Sequence, residues 1–65
     1  MNPESARELA EAIRAACLEA AKKGYAEAAM SGLCHEGAVE ASVGAISTLD
    51  LKPLLAGLEQ GKKPG

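Results

Sequence analysis

The sequence predicts an all-α protein, a helical hairpin made of one long helix, a tight turn and two shorter helices. Three observations carry this. Apolar and small residues recur at steps of three and four over the first thirty positions, Ala6, Leu9, Ile13, Ala16/Cys17, Ala20, Gly24 and Ala28. Glycines then cluster around Cys34-His35-Glu36, and a second helical period follows. No stretch alternates apolar and polar residues with period two, so no strand is expected.

The first helix opens on Asn2, a good N-cap, with Pro3 at the first helical position and Glu4 near the positive end of the dipole. The segment ESARELAEAIRAACLEAAKK consists almost entirely of strong helix formers. Opposite charges recur at helical spacing: Glu4/Arg7, Arg7/Glu11, Glu11/Arg14, Glu19/Lys23 and Lys23/Glu27. They mark a solvated face, each pair worth a few tenths of a kcal/mol. Lys22-Lys23-Gly24 resembles a helix end, yet YAEAAM resumes the pattern without a capping residue and the stripe passes through Gly24 in phase. The expectation is one helix, bent or loosened near Gly24, running to about Cys34; the competing arrangement breaks it at Gly24 or Gly32. Glu36-Gly37 is the strongest turn signal, with Gly37 as the left-handed residue of the corner. AVEASVGAISTL then forms the second helix, with Val39, Ser42/Val43, Ile46 and Leu49 on one stripe. Asp50 caps a short third helix, LKPLLAGLE, whose first turn accommodates Pro53 and whose apolar side is Leu51, Leu54, Leu55 and Leu58. Residues 1–60 read as a single helical domain and 61–65 as a tail.

The run GLCHEGAVEASVGAISTLDL resembles the helical hairpin of tetratricopeptide-type repeats, in which a helix ends at a glycine and the next opens with small and acidic residues. A second copy is absent, and Val39 stands where the repeat has an aromatic residue. The same run is similar to short uncharacterised bacterial helical proteins with a GLC-x-EG corner and a closing LDL; that likeness implies no activity. The repeat likeness implies a hairpin that needs neighbours, because a lone repeat cannot bury its own face.

Composition limits what such a hairpin does alone. Fourteen of 65 residues are Ala, Phe and Trp are missing, and Tyr25 is the one aromatic residue. Burial at about 25 cal/mol per Å² is opposed by about 1.5 kcal/mol per ordered residue, and for chains this small the two nearly cancel. Two cysteines make no disulfide framework, so a metal or a partner subunit remains as a source of stability. Met1-Asn2-Pro3-Glu4 lacks a secretory pattern and no apolar run reaches the ~20 residues of a membrane span; a cytoplasmic location without membrane contact is expected. A net charge of −2 with scattered Lys and Arg argues against nucleic acid.

Chemistry-bearing residues are few. Cys34 and His35 are adjacent, so they diverge by about 100° around a helix rather than converging on an ion. Met30, four residues before Cys34, completes an alternative thiol or metal site with His35, which would need further ligands from a second chain. The favoured reading places Cys34 in a small space at the corner and His35 near a helix C-terminus, where it suits the dipole. On one straight helix Cys17 and Cys34 would stand about 25 Å apart, beyond any disulfide. No nucleophile–base pair, phosphate loop or dinucleotide fingerprint is present, so neither catalysis nor a cofactor is expected. The expected function is protein–protein interaction through self-association as a homodimer, with a larger protein as a further partner. The residues assigned to it are Ala16, Ala20, Gly24, Tyr25 and Ala28 for close helix approach, and Leu51, Leu54, Leu55 and Leu58 for a second contact.

Overall fold

A computed structural model describes the backbone of residues 2–61 and the side chains of residues 2–57. Three helices follow one another: α1 (Pro3–Met30), α2 (His35–Ser47) and α3 (Lys52–Gly61). Among the described residues there is no strand. α2 folds back along α1, and α3 also touches α1. The result is elongated, 47 × 19 × 15 Å, with a radius of gyration of 15.0 Å against about 11 Å for a compact domain of this length.

α1 begins as its sequence dictates. The Asn2 side-chain carbonyl accepts from the Ser5 N–H at 2.6 Å, and Pro3 occupies the first turn without a lost hydrogen bond. The helix runs unbroken through Gly24 for 28 residues, about 42 Å. Of the expected ion pairs only Glu11–Arg14 forms among the described residues, at 3.7 Å and on the surface. Solvation and side-chain entropy leave such exposed pairs nearly neutral.

The end of α1 differs from expectation. The helix stops at Met30, not near Cys34, and the left-handed residue is Gly32 (φ 95°), not Gly37. The Gly32 N–H donates to the Ala29 carbonyl and the Leu33 N–H donates to the Ala28 carbonyl, both at 3.0 Å. This pair of bonds is the Schellman ending, and it satisfies carbonyls that the helix leaves free. Both glycines match a corner signal; Gly32 is chosen because the helix carbonyls behind it need those donors. Gly37 lies inside α2, where the Leu33 side chain covers it: a Cβ there would meet Leu33 Cδ2 at 3.2 Å. His35 is consequently the first residue of α2, at a helix N-terminus rather than the expected C-terminus. Cys34 serves as the N-cap through its backbone, its carbonyl accepting from the Ala38 N–H at 2.8 Å.

Beyond α2, the Thr48 hydroxyl donates to the Gly44 carbonyl. Asp50 Oδ1 accepts from the Lys52 N–H at 3.0 Å, so Asp50 helps start α3, as expected from its place before Pro53. Gly61, assigned to the tail, is the last residue of α3; residues 62–65 lie outside the described residues.

Candidate interaction surface

Small residues decide how α1 meets α2. A Cβ on Gly24 would stand 2.9 Å from Ala45 Cβ and 3.0 Å from the Ala41 carbonyl oxygen. Glycine is therefore what lets the two backbones approach here. One turn on, Ala28 (8% exposed) meets the level of Ala38 (1% exposed), and these two alanines are the buried hydrophobic core among the described residues. This corrects part of the sequence reading: Gly24 and Ala28 serve close helix approach within the chain, because α2 occupies their side of α1. Ala16 and Ala20 are half-buried and, with Glu19, Lys23, Glu27, Ala45 and Leu49, line an open groove on one flank of the hairpin.

Tyr25 fixes the opposite flank. Its hydroxyl and His35 Nδ1 are 2.9 Å apart, and the two rings meet edge to face with centroids 5.8 Å apart. The hydroxyl donates when Nδ1 is unprotonated and accepts when Nδ1 carries a proton. The contact ties α1 to the first residue of α2 and shows which sides of the two helices face the same way. Around α1, Leu18 lies within about 20° of Tyr25 and nearly opposite the groove residues. Around α2, Ile46 and Val39 lie about 20° and 40° from His35 on the side turned away from Ala38 and Ala45, and Val43 lies about 80° away at the outer edge of that side. Leu18 (55% exposed), Tyr25, Val39, Val43 (57% exposed) and Ile46 thus form one apolar flank spanning both helices, and none of the five is buried.

Comparison with family models, curated proteins and solved structures gives no match. The site must therefore be read from its own geometry. The Cys34-His35 corner does not assemble the alternative metal set. Met30 is 85% exposed, Cys34 is exposed, and His35 Nδ1 is engaged by Tyr25. Among the described residues no three His, Cys, Asp or Glu side chains are grouped as an ion would require. Cys17 and Cys34 are both free thiols.

On α3, Leu51 and Leu55 are exposed and Leu54 is half-buried; the Leu58 side chain lies outside the described residues. Among the described residues no helix is long and apolar enough to cross a membrane. The sequence reading missed Leu18, Val39, Val43 and Ile46 as surface residues. Leu18 was off the main stripe, and the signal was available: it sits seven residues before Tyr25, on the same side of a helix. In sequence the valines and Ile46 form one apolar stripe of α2 with Ala41 and Ala45 beside it; of the two, the alanine side, with Ala38 buried and Ala41 and Ala45 half-buried, is the one turned to α1.

Proposed function

We propose that this chain is a non-catalytic protein–protein interaction module, a small scaffold, adaptor or regulatory subunit, that acts through self-association. One observation carries the reading: among the described residues two alanines are the buried hydrophobic core, while nine larger apolar side chains stand exposed. Full burial of side chains of that size stabilises by about 1.5–3 kcal/mol each, so leaving about half of each in water forgoes a large part of the driving force a small domain has. The chain exposes 4971 Å², whereas a compact protein of 6.6 kDa exposes about 3,900 Å². The difference, on the order of 1,000 Å², is comparable to the ~800 Å² that each partner contributes to a standard interface. The resemblance to a tetratricopeptide-type hairpin supports the same reading, since such units cover their faces with neighbours.

Light scattering over a concentration series tests it. The expected result is a dimer or larger species whose thermal midpoint rises with protein concentration. A folded 6.6 kDa species at low micromolar concentration ends the proposal.

A further inference from the structure

We infer that the self-association proposed above, on which this inference rests, runs through the flank carrying Leu18, Tyr25, Val39, Val43 and Ile46, and that the occupant of that flank is a second copy in two-fold, antiparallel contact.

Three features select this flank and this occupant. First, the small-residue stripe that would otherwise attract a neighbour is already used. Gly24 and Ala28 are held against α2, and the groove beside Ala16 and Ala20 is edged by Glu19, Lys23 and Glu27. Docking there would desolvate three charges with no built partner. The opposite flank holds fewer charges: Lys22 lies between Leu18 and Tyr25, where its long stem can carry the ammonium to the edge, and Leu18, Tyr25, Val39 and Ile46 are apolar. Second, the need is permanent. A two-alanine core requires cover whenever the chain is folded, and a second copy is the one partner always present in equal amount. The exposed surface in excess of a compact chain matches one side of a standard interface.

Third, the ends of the flank are complementary under a two-fold axis. Leu18 to Tyr25 spans about 10 Å of α1. Gly24 packs against Ala41 and Ala45, so the two spans overlap in part and the joint patch runs from Leu18 of α1 at one end to Val39 of α2 at the other, with its centre near the level of Gly24. Arg14 continues the Leu18/Tyr25 side beyond one end of the patch. Glu36 continues the Val39/Val43 side beyond the other, at the corner. Rotating a second copy by 180° about the patch centre brings each Arg14 toward the partner copy's Glu36. A two-fold contact repeats every pairing, so one such match occurs twice. Arg14 is exposed, and its link to Glu11 at 3.7 Å is a weak surface pair that the new contact replaces.

Sedimentation equilibrium on the full chain and its variants tests the assignment. Ile46→Glu, on an exposed position, is expected to weaken dimerisation by roughly thirtyfold or more, as for a central interface residue. Lys52→Ala, exposed at the start of α3, leaves the association constant unchanged. Arg14→Glu weakens association about threefold, and adding Glu36→Arg to the same chain restores it. Should Ile46→Glu lose its helical circular dichroism at every concentration, the charge-reversal pair decides alone: restoration supports the two-fold contact, and no restoration overturns it. Undiminished association of a folded Ile46→Glu chain, or the same loss in Lys52→Ala, overturns the flank while leaving self-association standing. A wild-type chain that stays monomeric overturns both.

Discussion

α1 is packed twice, by α2 and by α3, and the two packings work differently. Against α2 it presents glycine and alanine: Gly24 against Ala41 and Ala45, Ala28 at the level of Ala38. Backbones come close, dispersion contacts are dense, and little side-chain entropy is lost. The α3 helix brings larger residues, and they are less well covered: Leu54 is half-buried, and Leu51 and Leu55 are exposed. Small residues in close register thus build a more complete contact than these leucines. The same economy leaves the valines, Ile46 and Leu18 only partly covered, which is why the better-packed half also carries the apolar flank.

Substitutions can break this contrast. The largest effect is expected at Gly24. Gly24→Val places atoms within 3 Å of Ala45 Cβ and the Ala41 carbonyl, and should cost about 3 kcal/mol in chemical denaturation, since neither backbone can retreat without opening the core. A cost under about 1 kcal/mol would show that the helices are not in close register. Next is the corner. Gly32→Ala should cost about 1–2 kcal/mol because φ of 95° excludes a side chain although the space is open. Gly37→Ala should instead stabilise by up to ~1 kcal/mol, as a helix-interior replacement with only the flexible end of Leu33 to displace. If the signs were reversed, the corner would lie at Gly37 after all. Tyr25→Phe removes the bond to His35 while keeping the ring, and should cost roughly 0.5–1 kcal/mol. The smallest effect is expected on α3: Leu55→Asp, at an exposed position, should shift stability within about 0.5 kcal/mol. A loss several times larger would mean that α3 is covered by a neighbour and that the contrast between the two packings is misdrawn.

The candidate surface was legible only in part. Tyr25 stood out as the one aromatic residue, and it does stand on the apolar flank. Gly24 and Ala28 also stood out, as residues that permit close helix approach. Their spacing announces a groove but cannot say which helix fills it, because a helix of the same chain and one from another copy satisfy it equally. The valines are ambiguous for a related reason. On α2 the Ala38, Ala41 and Ala45 stripe and the Val39, Val43 and Ile46 stripe are both helical in period. Hydrophobicity favours the valines as core, whereas the closeness imposed by Gly24 leaves room only for alanine.

The sequence by itself determined the helical class, the start of α1 at Asn2 and Pro3, and the start of α3 after Asp50. These rest on local bonds and on propensities that act within a few residues. Only the tertiary structure decided which stripe of α2 is turned to α1, that α1 stays continuous where Gly24 meets α2, and that Tyr25 meets His35. Those outcomes depend on how near α1 and α2 come, and that distance is set jointly by residues about twenty positions apart, through contacts no local pattern contains.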